Sequence, residues 1–542
     1  MKLCSLFFLV FTSTLLFAQI DKRYVSQVWV ADNGDNTYNN PIIYADYSDP
    51  DVVRIGEDYY MTSSSFNAVP GLPILHSKDM VNWKIINHAL PEQVPVETFN
   101  KPQHGNGVWA PAIRYHNNEI YIYWGDPDFG IYLVKTKDPY GEWEQPILVM
   151  EGKGLIDPCP IWDENGEAYL VHAYDGSRAG VNSLLSVNKM NLEGTKVLDK
   201  GIHIFDGHNH HVTVEGPKLY KRNVYYYIFA PAGGVATGWQ LVLRSKNIYG
   251  PYEEKVVLEQ GTTEINGPHQ GAWVETPSGE SWFYHFQDVD AYGRVVHLQP
   301  MSWKNDWPVI GKDFDGNGIE EPIASFKKPN VGKTYPIVSP VETDNFDGFN
   351  IGLQWQWNAN SNVLWHAKLP GNDYLRLFSI KINEDTPNLW MVPNLLLQKF
   401  PALSFTVSTK ISLIPEEATS GKTAGIIIMG MDYATLSISH DENGYFIKQT
   451  EALKAIDGAE EKIISQERIK TDTAYFKVEV SAPDAMCQFL YSEDGLKFKK
   501  IGTAFKAKEG KWIGAKVGLF SVSTQEAKRG GYADVDYFKI SK

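Results

Sequence analysis

Cysteine is nearly absent from this chain, with three in 542 residues, and one of them, Cys4, lies in the N-terminal stretch MKLCSLFFLVFTSTLLFAQ. That stretch has one Lys, an apolar run and a small residue before Gln19, the pattern of an export signal cut after Ala18. Its apolar run is too short for a membrane anchor, and Cys4 lies too early for a lipoprotein cleavage box. No other segment is apolar for long enough to span a bilayer. Export is therefore expected, to the periplasm if the host is Gram-negative. With only Cys159 and Cys487 remaining, far apart in the chain, a disulfide-stapled scaffold is excluded. Positive charge is also in deficit. Fifty Lys and Arg face 65 Asp and Glu, and the formal charge of −15 argues against nucleic acid and anionic membranes as partners. Long 3.6-residue apolar periodicity is missing too, which removes a helical architecture.

Aromatic residues are abundant at 13%, including 16 Trp and 29 Tyr. They sit in short strands with β-branched residues, separated by Gly, Asn and Asp turns, from about residue 40 to 325. One pattern recurs five times there: a short Pro- or Gly-containing motif, an apolar strand, a polar turn and a Tyr-rich strand. The motifs open at Asp49, Trp109, Asp157, Glu215 and His269, spacings of 48 to 60 residues that read as the blades of a five-bladed β-propeller. SKDMVNW, TKDPYGEW and SKNIYGPY repeat in step with the blades, which places Trp83, Trp143 and Tyr252 between them as packing residues. A Pro-, Lys- and Gly-rich stretch from Phe326 to Gly348 reads as a linker. Beyond it, LSFTVSTKISL, AGIIIMGMDYATLSI, YFKVEVSA and YADVDYFKI alternate in period two, as β-sandwich strands do. The expected organisation is a signal peptide at 1–18, a propeller at 19–330 and a sandwich at 331–542.

A propeller gathers equivalent blade positions around one axis, so the residues that open the blades become neighbours. Asp49, Asp157 and Glu215 each stand just before Pro or Gly-Pro and share a blade phase on this reading. An isolated Asp-Pro is an ordinary turn. Three carboxylates at equivalent positions have a chemical purpose: two across a neutral ligand suffice for glycosidic hydrolysis, and a third raises the acid's pKa by like-charge repulsion. Asp51 faces the other side of the same extended strand and is left out of the trio.

The stretches NPIIYADYSDPDVVRIGEDYYMTSSSFNAVPGLPILHSKDMVNW, GVWAPAIRY, IDPCPIW, EGPKLYKRNVYYYI, GPHQGAW and GRVVHLQPMSW resemble glycoside hydrolase family 43. DNFDGFNIGLQWQWNAN and SEDGLKFKKIG resemble the concanavalin-A-like sandwich appended to its β-xylosidases and α-L-arabinofuranosidases. The resemblance implies an inverting mechanism without a required cofactor, with Asp49 as general base, Glu215 as general acid and Asp157 as pKa modulator and orienter. It further implies that His269 holds water or a calcium ion on the axis. Arg294 would contact glycone hydroxyls and the carboxylates, and Phe66 and Trp109 would line the sugar subsite. An exo-acting enzyme that trims arabinofuranosyl units from xyloglucan or arabinoxylan oligosaccharides is the first expectation, a β-D-xylosidase with the same trio the second. An inverting enzyme also needs its two carboxyls about 6.5–9.5 Å apart, with room for a water.

Each assignment has a rival. His269 alone reads as a core histidine, Arg294 as a partner of a surface acid, and Phe66, Trp109 and Trp124 as packing. Calcium prefers oxygen ligands, so one imidazole is a sparse set for it. The run Asp313-Phe314-Asp315-Gly316-Asn317-Gly318 begins like a calcium loop, but Ala324 stands where the closing acid belongs, which favours a Gly-rich turn. Fructan hydrolases share the two-domain plan, but their Asp-Pro-Asn-Gly, Arg-Asp and Glu-Cys motifs are missing here. Sialidases require an arginine triad and a tyrosine nucleophile. A secreted carbohydrate-binding propeller without catalysis would show loss of an acid, and all three are present. Oligomeric state is not readable from the sequence.

Overall fold

The computed structural model describes residues 23–383, 385–416, 421–524 and 530–542, so the expected signal peptide lies outside the described residues. Five four-stranded antiparallel sheets follow one another in the chain, each a simple meander. Blade 1 runs from Asp51–Ile55 to Trp83–Leu90, blade 2 from Trp109–His116 to Ile147–Glu151 and blade 3 from Leu155–Trp162 to Ile202–Asp206. Blade 4 runs from Lys218–Arg222 to Glu253–Leu258, and blade 5 from His269–Glu275 to Trp307–Ile310. The first strand of blade 1 lies against those of blades 2 and 5, and the first strand of blade 3 against those of blades 2 and 4. The five sheets thereby close a ring around an axis.

Apolar faces of neighbouring blades interlock. Val52, Tyr59 and Trp83 of blade 1 share a core with Ala272, Trp282 and Tyr284 of blade 5, and comparable clusters fill the other gaps. The second repeat packs as expected. Trp83 is fully buried and meets Tyr284 edge-on at 6.0 Å, Trp143 packs between blades 1 and 2, and Tyr252 between blades 3 and 4. The polar residues of these repeats build the turns: Asp79 accepts the N–H groups of Val81 and Asn82, and Asn247 that of Tyr249. Ring closure uses chain remote in sequence. Thr37–Asn39 pairs with Ser325–Lys327, Ile43 bridges Val296, and Lys328 lies between Asp32 and Asp79 at 2.6 and 2.7 Å.

Among the described residues the C-terminal part is a β-sandwich of two eight-stranded sheets. Phe405–Ile414, Thr473–Ser481, Met486–Ser492 and Tyr532–Ser541 belong to one, Lys422–Met429, Tyr433–Asp441 and Lys516–Ser523 to the other. The apolar run AGIIIMGMDYATLSI is two strands, because the chain turns back at Gly430–Asp432. Alternating residues such as Val407, Ile411, Phe476 and Val478 point inward and fill one core, which corresponds to the period-two pattern, and Val535 and Phe538 join it across a register slip that interrupts the alternation of their strand. That core extends to Tyr44, Ala291, Tyr292 and Val295 of the propeller. Backbone bonds between Val69 and Trp357, the Asn360 side chain bonded to both the N–H and the C=O of Gln93, and His104 stacked on Trp390 at 3.7 Å join the two domains elsewhere. Among the described residues no helix is long and apolar enough to cross a membrane. Cys159 and Cys487 are free, buried and in different domains.

Candidate active site

Every blade opens on a residue in the left-handed region: Asp49 (φ 55°), Ala110 (35°), Asp157 (56°), Gly216 (58°) and Gln270 (31°). Each precedes Pro or Gly, and at blades 2, 3 and 5 the strand register slips beside it. Such kinks re-aim a side chain at the rim of a sheet. This corrects the shared phase expected for the carboxylates. Asp49 and Asp157 occupy the kinked position, whereas Glu215, His269 and Trp109 stand one residue earlier. Gly216 is needed at its kink, since a Cβ there would lie 2.4 Å from the Gln270 side chain.

The kinks bring the blade openings together. Asp49, Phe66, Trp109, Asp157, Glu215, His269 and Arg294 all line one open depression of about 600 Å³, with Ala110, Ile156, Asp175, Val235, Gln270 and Trp512. Asp49 accepts hydrogen bonds from the Ser48 and Ser64 hydroxyls, and Arg294 Nη1 stands 3.7 Å from its other oxygen. Arg294 also donates to Ser48 Oγ at 3.0 Å, and its guanidinium lies 5.0 Å from the Phe286 ring. The buried Asp157 carboxylate accepts the Gly216 N–H at 2.7 Å and Gln270 Nε2 at 3.3 Å.

Glu215 has fewer partners. Its side chain retains 31% exposure, and His269 Nε2 stands 3.5 Å from its Oε1. Desolvation, then the charges of Asp157 and Asp49, pushes the Glu215 carboxyl up to about 8, with Arg294 opposing. Burial and then Asp49 push Asp157 up as well, so the two titrate as a linked pair. Burial, then Arg294, pushes His269 down to about 3 and keeps its imidazole neutral. The arrangement joins a carboxylic acid protonated near neutrality to a carboxylate held by hydroxyls and an arginine. It is equipped to donate a proton at one point and accept one at another.

Neither expected cation site is a calcium cage. Both ring nitrogens of His269 lack a protein hydrogen-bond partner, but Arg294 places a positive charge nearby, and among the described residues no group of three or more His, Cys, Asp or Glu could hold a metal ion. These residues do not fit an ion that takes six to eight oxygens. In the Asp313 loop, the Asp313 oxygens accept the N–H groups of Gly316 and Gly318, and Asp315 accepts that of Asn317. These are the bonds of a turn.

Asp51 is fully buried, accepts Ile113 N–H and pairs with Arg114 at 2.6 Å, so it fastens blade 1 to blade 2. Trp124 is stacked on Tyr132 inside blade 2. Phe66 and Trp109 meet edge-on at 6.3 Å along the depression. Four contributors escape the sequence reading. Asp175 caps a short helix at Gly176–Ala179, and Arg178 in that helix lies 5.7 Å from the Trp109 ring. Gln270 occupies a kink. Trp512, from the sandwich, faces Trp109 at 6.2 Å and Arg294 at 6.0 Å. Gln270 could have been found from the Gln-Gly step that replaces X-Pro in blade 5, but nothing periodic marks Trp512.

The model of glycosyl hydrolases family 43 matches residues 38–308, and that of the beta xylosidase C-terminal concanavalin A-like domain matches residues 343–541. Across 92% of its length the chain is 39% identical to a putative beta-xylosidase of Xylanibacter ruminicola, covering 88% of that protein. It is 34% identical to a beta-xylosidase of Formosa agariphila over 94% of this chain and 90% of the relative. To the non-reducing end alpha-L-arabinofuranosidase BoGH43B of Bacteroides ovatus it is 30% identical, over 75% of this chain and 76% of that one. Among solved structures, the GH43 BlXynB protein of Bacillus licheniformis superposes with a TM-score of 0.80 at 26% identity, covering 93% of this chain and 99% of that one. With its propeller, its sandwich and the site between them, the chain belongs to glycosyl hydrolases family 43.

Proposed function

We propose that the protein is an exo-acting, inverting pentosidase that removes single terminal β-D-xylosyl units from hemicellulose oligosaccharides. The observation that carries this reading is the convergence of three carboxylates from three blades, with Arg294 and aromatic residues of both domains, on one depression. Glu215, with its pKa raised, protonates the leaving glycosidic oxygen. Asp49, steadied by Ser48, Ser64 and Arg294, takes a proton from water as that water attacks the anomeric carbon. Asp157 holds the backbone beside Glu215 and keeps that acid protonated by its charge. Phe66, Trp109 and Trp512 supply apolar faces for the sugar ring. A rim built from both domains supports removal of end units over cleavage inside a chain.

Sequence motifs alone ranked arabinofuranose ahead of xylose. The names of the relatives at 39% and 34% identity support placing xylose first, while the arabinofuranosidase at 30% supports α-L-arabinofuranoside hydrolysis as the second reading. Aryl β-D-xylopyranoside and aryl α-L-arabinofuranoside assayed side by side decide between them. The xyloside is expected to be favoured by about tenfold or more in kcat/KM, about 1.4 kcal/mol in transition-state binding. A preference for the arabinofuranoside restores the first order, and hydrolysis of neither removes the proposal. Following the anomeric proton by NMR tests inversion, and retained configuration in the first-formed product contradicts it.

A further inference from the structure

Asp46 stands three residues before Asp49, is 3% exposed and does not itself line the catalytic depression. Its two carboxylate oxygens accept backbone N–H groups from different domains: Oδ1 takes Arg294 N–H at 2.9 Å, and Oδ2 takes Gly514 N–H at 3.1 Å. The chain is compressed around these bonds. A Cβ on Gly293 would lie 2.7 Å from Asp46, and a Cβ on Gly514 would lie 2.7 Å from Gly293 N. Ala515 N–H donates to Ala291 O at 2.7 Å beside them.

Gly514 ends a tight turn that Gly510 N–H closes on Ile513 O at 2.8 Å. Trp512 stands in that turn with φ 66°, 48% exposed, reaching to Trp109 and Arg294. One carboxylate therefore fixes the strand carrying Arg294, the sandwich loop carrying Trp512 and the approach to Asp49. We propose that Asp46 is a positioning residue that sets Trp512 and Arg294 around the bound sugar, locking the sandwich to the propeller at the active site. The inference rests on the pentosidase reading for its kinetic consequence and on geometry alone for the tether.

Asp46→Asn keeps the size of the side chain but turns one acceptor into an NH2, which opposes whichever N–H it faces. It is expected to lower kcat/KM on the aryl pentoside by about 10- to 100-fold, with most of the change in KM. Trp512→Ala should cost a similar factor in the native background. In the Asp46→Asn background it should cost less than about threefold, because the two residues then act as one unit. Full additivity, or an unchanged KM in Asp46→Asn, overturns the proposal. Should that variant fail to fold, hydrogen exchange of the native protein decides. The Gly514 amide, bonded to Asp46, is expected to be protected despite its surface loop, and its complete exchange at the first time point overturns the tether. A native protein inactive on every pentoside would refute the pentosidase reading and leave the exchange result to judge Asp46.

Discussion

Asp157 of blade 3 accepts the N–H of Gly216 of blade 4 at 2.7 Å, so one acid holds the backbone beside the other acid, Glu215. The same carboxylate is the largest charge influence on Glu215, and it acts to raise it. Positioning and proton affinity are thus linked in one side chain, and two substitutions separate them.

Asp157→Asn keeps an oxygen that can accept the Gly216 N–H and loses the charge. The alkaline limb of the kcat/KM profile is expected to move to lower pH, because Glu215 then ionises more easily. Asp157→Ala should lose more activity at neutral pH than Asp157→Asn, since the Gly216 bond goes too. Profiles of both variants on one aryl pentoside test this. A limb that stays put or moves to higher pH would mean that Asp157 does not govern the acid.

Glu215→Ala should lower kcat by about 10²–10⁴-fold on substrates with a sugar leaving group, the usual weight of general acid catalysis. Aryl pentosides with acidic phenols leave without much help and should lose far less. Measuring both substrate types on the variant checks the role, and equal losses on the two would point away from proton donation.

Glu215 also links stability to pH. Its folded-state value of about 8 lies above its ordinary value of 4.5, so its stabilising contribution is complete below about 4.5 and is lost as pH rises to about 8. Glu215→Gln cannot ionise and escapes that loss. The Tm of Glu215→Gln minus that of the native protein should therefore climb between pH 5 and pH 8 and level off above. A flat or falling difference in calorimetry at matched ionic strength would contradict the raised pKa.

Asp51→Ala should destabilise by about 3–5 kcal/mol, the cost of leaving a buried charge partner alone. Arg114 would keep its burial and lose the carboxylate that faces it, at 14% and 0% side-chain exposure for the pair. Thermal or denaturant unfolding reads the change. A loss within about 0.5 kcal/mol would show that the pair behaves as a surface one.

Much of this was legible because propeller blades are local. Each blade is a meander closed by turns a few residues long, so strand periodicity, turn residues and the Trp or Tyr of each SKD-type turn report the architecture directly. The motif residues also led to the depression, and every one of the seven proposed site residues lines it. Aligning the carboxylates with one another puts Glu215, His269 and Trp109 one residue off the kink that Asp49 and Asp157 occupy. The Pro after Asp49, Ala110, Asp157 and Gly216 was the better marker, as it follows the left-handed residue at each of those openings.

The sequence alone determined the five blades, the sandwich and which acids face the axis, since side-chain alternation and turn chemistry act between near neighbours. Tertiary structure alone decided how the acids differ and what closes the site. Glu215 is raised by burial and by acids more than fifty residues away, and Trp512 arrives from another domain through a carboxylate 468 positions from Gly514. Desolvation and contacts of that range depend on which surfaces meet, and no local pattern of residues encodes that meeting.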